Sequence, residues 1–109
     1  MTPRRGEVWS IRLDPATGSE IGKTRPCLVV GANVVNQRRR TVVLVPLSSS
    51  PLAASPPLLV PLDCAGGPAV AVMDQIRAVS KQRLHRRMGA ISSEHLEAVE
   101  NALRQILEL

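Results

Sequence analysis

The stretch Glu7-Val8-Trp9-Ser10-Ile11-Arg12-Leu13, closed by Asp14-Pro15, sets the reading of this chain. Its alternation puts Trp9, Ile11 and Leu13 on one face and Val8, Ser10 and Arg12 on the other, as in a half-buried strand. Pro15 then breaks the run, and Asp14 to Lys23, with Pro15, Gly18 and Gly22, forms a long connection for so short a chain. Long ordered loops in small domains are more often functional than decorative. Within it, Gly18-Ser19-Glu20-Ile21-Gly22-Lys23-Thr24-Arg25-Pro26 places a carboxylate and a guanidinium near the two ends of a glycine-flanked segment.

Further along, Pro26 to Ala32 reads as a second strand, Asn33 to Arg40 as a polar, basic turn, and Thr41 to Leu47 as a β-branched strand buried on both faces. Ser48 to Pro57 reads as a second flexible loop. Short strands are expected at Leu58 to Leu62 and Ala69 to Met73, joined by the turn Asp63 to Pro68, with Pro61 marking an edge or a bulge. Ile76 to Val79 adds another strand, and Lys81 to Arg87 reads as a basic turn or short helix.

The last segment carries helical spacing: Leu96, Val99, Leu103, Ile106 and Leu107 share a face behind a capping Ser92 or Ser93. Glu94 and Glu97 suit its N-terminal dipole, and Glu100 is spaced to pair with Arg104. Five or six short, mostly antiparallel strands and a C-terminal helix predict a mainly β fold, a small barrel, in one domain spanning residues 1–109.

Composition narrows the function classes. The chain has one Trp and no Phe or Tyr, which argues against modules that stack bases on aromatic platforms. It holds 14 Lys and Arg against 9 Asp and Glu, and Glu94, Glu97, Glu100 and Glu108 fall in the final segment beside Arg104 alone. A basic body of this kind suits a polyanionic partner, because each phosphate neutralised releases counterions. Cys27 and Cys64 lie among apolar residues without CxxC spacing, so they read as buried thiols in a reducing cytoplasm rather than zinc ligands. The apolar runs are strand-length, which predicts no membrane association.

Candidate chemistry gathers at two loop margins. Arg25 opens one strand and Ser48 ends another, and in a small barrel such positions can meet at one rim. A guanidinium beside a hydroxyl suits a phosphodiester, with Glu20 above them as a proton acceptor. The ordinary alternatives are an Arg25–Glu20 surface ion pair and a turn role for Ser48. His85, among Arg83, Arg86 and Arg87, reads as surface beside a phosphate-binding cluster, His95 as incidental, and Arg38 to Arg40 as a solvated turn. Gly22-Lys23-Thr24 mimics the end of a P-loop, but Thr17 stands where that motif needs glycine and Pro26 where it needs a helix. No GxSxG elbow is present, which argues against a serine hydrolase.

Taken together, Arg5-Gly6-Glu7-Val8-Trp9, Gly18-Ser19-Glu20, Lys23-Thr24-Arg25-Pro26, Val45-Pro46-Leu47-Ser48, Asp74-Gln75-Ile76-Arg77 and Lys81-Gln82-Arg83-Leu84 resemble the MazF/PemK family of toxin endoribonucleases, from about residue 4 to the last helix. The resemblance implies an SH3-like (CcdB/Kid/MazF-type) barrel and a cytoplasmic homodimer. It also implies a ribosome-independent and metal-independent cut in single-stranded RNA, without cofactor, leaving a cyclic phosphate and a 5′-hydroxyl. A cognate MazE-like antitoxin would occupy the RNA groove. By position, Arg25 matches the family's catalytic arginine, Ser48 falls where threonine is usual, and Glu20 matches a loop acid. Ser19, Lys23, Thr24, Gln75, Arg77, Arg83 and Arg86 become expected RNA-binding residues. Some members carry a histidine before the loop acid and an arginine two residues before the Asp of the Asp-Gln strand; here Ser19 and Val72 stand there. Glu20, a water or Asp74 is left as general base, with Glu20 ranked first. Two rivals share the architecture: a CcdB-like topoisomerase poison without chemistry, and a non-catalytic SH3-like nucleic-acid module.

Overall fold

The computed structural model describes residues 1–49, 55–64 and 66–109. Its strands are β1 (Glu7–Arg12), β2 (Thr24–Val29), β3 (Thr41–Ser48), β4 (Leu59–Cys64), β5 (Gly67–Val72), β6 (Arg77–Ser80) and β7 (Leu84–Ala90). Helix α1 (Asn33–Arg38) lies between β2 and β3, α2 (Ser93–Leu107) follows β7, and 3-10 turns cover Met73–Gln75 and Lys81–Arg83. The strands pair antiparallel in the order β4-β5-β3-β2-β1-β7, with β6 also on β3. The mainly β architecture with a C-terminal helix is the expected one.

Alternation along β1, β2 and β3 feeds two cores. Val8, Leu28, Val45 and Leu47 join Val60, Leu62 and Met73 beneath Val99 and Ala102 of α2. Trp9, Ile11, Cys27, Val29, Val42 and Leu44 form a second cluster with Leu13, Val79 and Leu84, sealed by Ile21 from the 14–23 loop. One covalent step along these strands therefore moves a side chain from one buried layer to the other. Pro61 lies on β4, at the outer end of the strand order, where a missing N–H costs no ladder bond.

Several local expectations need correction. The segment from Asn33 folds as a short helix rather than a turn, because the buried Asn36 donates from Nδ2 to the Gly31 carbonyl at 3.0 Å and Lys81 Nζ donates to the Asn36 carbonyl. β2 begins at Thr24 and ends at Val29, so it starts two residues before the expected Pro26. Lys81 to Arg87 is a single 3-10 turn running into β7, an edge strand that polar residues concealed. Opposite β1, β7 shifts register between Ile11 and Ser10 and again between Trp9 and Val8, which leaves His85 and Met88 as its extra residues. Glu100 does not pair with Arg104; it meets Arg5 at 2.7 Å, while Arg104 donates to Asn101. Arg5 also donates from Nε to the Val30 carbonyl, so it ties the N-terminus and the end of β2 to α2.

Ser92 caps α2 as expected, its hydroxyl accepting the His95 N–H at 3.1 Å. Of the expected loop from Ser48 to Pro57, residues 50–54 lie outside the described residues, as does position 65 in the β4–β5 turn. No described helix is long and apolar enough to cross a membrane.

Candidate active site

β2 and β3 pair with Cys27 opposite Pro46 and Leu28 opposite Val45. The pairing ends at Cys27 and Pro46, and strand alternation puts Arg25 and Ser48, each two residues further on, on the face that carries Cys27 and Val29. Across β3, Arg77 of β6 stands opposite Leu44 and so belongs to the same face. Its charge reaches Cys27: burial pushes that thiol up to about 12, against the opposing pull of the Arg77 guanidinium. Arg25, Ser48 and Arg77 thus come from three neighbouring strands onto one side of the sheet.

The 14–23 loop reaches Arg77 and the turn before it, and neither Arg25 nor Ser48 lines the cleft formed there. Gln75, at the end of the 3-10 turn before β6, accepts the Ile21 N–H at its Oε1 (2.8 Å) and directs its Nε2 to the Ser19 carbonyl at 3.5 Å. The amide therefore brackets Glu20 by gripping the residues on either side of it. At the base of the loop, the Leu13 N–H bonds the Lys23 carbonyl at 2.7 Å, and Asp14 Oδ1 accepts the Lys23 N–H at 2.7 Å. Lys23 holds φ +63°, an uncommon value for a residue with a Cβ. Gly22 admits no side chain, since a Cβ there would stand 2.5 Å from Asp14 Oδ1 and 2.9 Å from the Ala16 Cβ.

The result is a cleft of about 440 Å³ lined by Ser19, Glu20, Asp74, Gln75, Ile76 and Arg77. Glu20 faces Arg77 at 3.9 Å, with the carboxylate side chain more than half exposed, so the pairing is long and solvent-screened. The alternative pairing of Glu20 with Arg25 does not occur among the described residues. Arg25 is half-buried, and its Nε is buried without a hydrogen-bond partner among the described residues. A buried guanidinium N–H without a partner costs free energy that a bound anion can return. Among the described residues, no three His, Cys, Asp or Glu side chains converge on a common point that could hold a metal ion.

The expected RNA-binding residues divide between two places. Ser19, Gln75 and Arg77 line the Glu20 cleft. Lys23, Thr24 and Arg83 line a separate cleft of about 390 Å³ with Arg12 and Asp14. Arg86 stands opposite Ser10 on exposed β7. Arg12 was not among the expected site residues; only the register that sets it opposite Thr24 brings it to the cleft.

Residues 4–107 match the family described as PemK-like, MazF-like toxin of type II toxin-antitoxin system. The chain is 36% identical over 120 residues to "Endoribonuclease MazF9" of Mycobacterium tuberculosis, covering 97% of each chain. Its fold matches the crystal structure of MazF from Deinococcus radiodurans with a TM-score of 0.87 at 23% identity, covering 100% of this chain and 99% of that one. It also matches an endoribonuclease in complex with its cognate antitoxin from a mycobacterial species, with a TM-score of 0.80 at 24% identity over 98% and 96% of the two chains. Motif order, barrel and relatives agree: this chain belongs to the PemK-like, MazF-like toxin family of type II toxin–antitoxin systems.

Proposed function

We propose that this protein is an endoribonuclease toxin that cuts single-stranded RNA at a short sequence, independently of the ribosome and without a metal ion, by internal transesterification. The observation that carries the reading is the Nε of Arg25, buried and without a hydrogen-bond partner among the described residues, on the sheet face that strand alternation also gives to Ser48. A phosphate is the ligand that best answers a forked donor of this kind.

In this reading a carboxylate, Glu20 first among the candidates, takes the proton of the 2′-hydroxyl. The 2′-oxygen then forms a bond to the adjacent phosphorus, the bond from phosphorus to the 5′-oxygen breaks, and the leaving oxygen takes a proton. The products are a 2′,3′-cyclic phosphate and a 5′-hydroxyl. A guanidinium is a poor proton carrier, so the role that falls to Arg25 is to stabilise the charge that builds on the phosphorane. Ser48 hydrogen-bonds the phosphate, and Arg77 adds positive charge beside Glu20. Asp74 lines the same cleft and is the alternative base. Family likeness supports action as a homodimer and inhibition by a cognate MazE-like antitoxin, given the antitoxin complex among the similar structures.

The test is growth inhibition and RNA cleavage by the wild type, Arg25→Ala and Ser48→Ala, each checked for native melting. Loss of both effects with Arg25→Ala and a reduced rate with Ser48→Ala are expected. Full cleavage by folded Arg25→Ala would remove the assignment. Growth inhibition without RNA cleavage by the wild type would favour the topoisomerase poison.

A further inference from the structure

Arg25 lies on the face of β2 that carries Cys27 and Val29, and its neighbour Thr24, one residue back, points to the opposite side of the sheet, where it stands across from Arg12. There Arg12, Asp14, Lys23, Thr24 and Arg83 line the cleft of about 390 Å³, and an adjoining cleft of about 470 Å³ shares Arg12 and Thr24 and adds Leu84 and His85. Neither arginine is a loose surface charge. Arg12 donates from one terminal nitrogen to the Gln82 carbonyl at 3.1 Å, and Arg83 donates from one terminal nitrogen to the carbonyls of Arg12 and Asp14.

Carbonyl tethers of this kind orient a guanidinium without neutralising it. Among the described residues no carboxylate pairs with Arg12, Lys23 or Arg83; the Asp14 side chain accepts instead from the Lys23 main-chain N–H. Three cations around one carboxylate leave the cleft with a net positive charge. Its arginines retain further N–H donors, and Thr24 adds a hydroxyl.

We propose that the Arg12–Lys23–Thr24–Arg83 cleft is a second phosphate site, which holds a backbone phosphate of the same RNA strand flanking the one that is cut. The proposal rests on the endoribonuclease reading and extends it: the strand crosses the Lys23–Thr24 rim of β2, with the reacting phosphate at Arg25 on one side and a flanking phosphate at Arg12 and Arg83 on the other. Covalent adjacency of Thr24 and Arg25 makes the two sites parts of one track. The lack of aromatic platforms in the chain fits a strand held by its backbone. The site fixes the register of the strand and reads no base.

The experiment measures binding of a 30-nucleotide single-stranded RNA by fluorescence anisotropy across a salt series, in EDTA. It uses Arg25→Ala, which serves as the parent because it is expected not to cut the probe, and the same protein carrying in addition Arg12→Gln, Arg12→Lys or Arg39→Gln. Loss of one phosphate contact lowers the slope of log affinity against log salt by about 0.7. Arg12→Gln is expected to show that decrease with severalfold weaker binding, Arg12→Lys to recover most of the slope, and Arg39→Gln, an equal change of charge elsewhere, to keep the parent slope. An unchanged slope with Arg12→Gln, or an equal decrease with Arg39→Gln, overturns the proposal. So does weaker binding of poly-glutamate by Arg12→Gln with intact RNA binding, since the cleft would then serve an acidic protein segment. Failure of the wild type to cut RNA defeats the endoribonuclease reading separately, because the slope is read without cleavage.

Discussion

Gln75→Ala tests whether the acid loop is held by one side-chain amide. The substitution removes the 2.8 Å bond accepted from the Ile21 N–H and the longer 3.5 Å contact to the Ser19 carbonyl. A net intramolecular hydrogen bond contributes about 0.5–1.5 kcal/mol, and the 3.5 Å contact adds little, so the loop should open about two- to tenfold more often. Amide hydrogen exchange by NMR reads this directly: exchange at Ile21 is expected to rise by that factor, while exchange at the buried Val29 amide in β2 stays unchanged. Cleavage should fall by no more than the same factor, because Gln75 positions Glu20 and does not touch the reacting atoms in this account. Unchanged Ile21 exchange would refute the clamp. An equal rise at Val29 would show that the substitution loosens the whole fold instead.

Other consequences follow from the same contacts. Burial pushes the Glu7 carboxyl up, but hydrogen bonds from Arg87, the Arg4 main chain and Trp9, with the Arg87 charge, outweigh it and leave the acid below its ordinary range. Its stabilisation is therefore full above the unfolded value of about 4.3 and is lost as pH falls through the lower folded value. Urea midpoints should accordingly decline more steeply in acid for the wild type than for Glu7→Gln. Gly22→Ala should derange the acid loop and cut RNA cleavage at least tenfold, with little change in melting temperature, since the clash is with Asp14 and Ala16 of the loop itself. Ser92→Ala removes the α2 cap and should cost about 1 kcal/mol, a fall of about 4–8 °C in melting temperature by calorimetry. Cys27, fully buried with its thiol pushed up to about 12, should resist iodoacetamide near neutral pH in the native protein and react once unfolded.

The parts legible in the sequence were those with a strong local period. β1 alternates cleanly, β3 is β-branched, and α2 shows an apolar stripe behind a serine cap, so each declares itself without tertiary information. β7 did not, because Leu84-His85-Arg86-Arg87 exposes three consecutive polar residues, and register shifts erase the alternation. Helix α1 depends on Asn36 and Lys81, which are distant in sequence. At the site, Arg25 and Ser48 could be placed at strand margins from sequence, but their shared face needs the β2–β3 register. The bracketing of Glu20 by Gln75 joins residues 54 apart in sequence and leaves no local signal. Arg12 reads from sequence as the ordinary outward residue of a half-buried strand, and only its register opposite Thr24 brings it to the cleft.

The most direct test of the central claim is incubation of the purified wild type with a long single-stranded RNA in excess EDTA, followed by chemical mapping of the new ends. Discrete cuts that leave 2′,3′-cyclic phosphate and 5′-hydroxyl termini are predicted, and they would also disclose the sequence recognised. Intact RNA from natively folded protein, or ends bearing 5′-phosphate, would contradict the account.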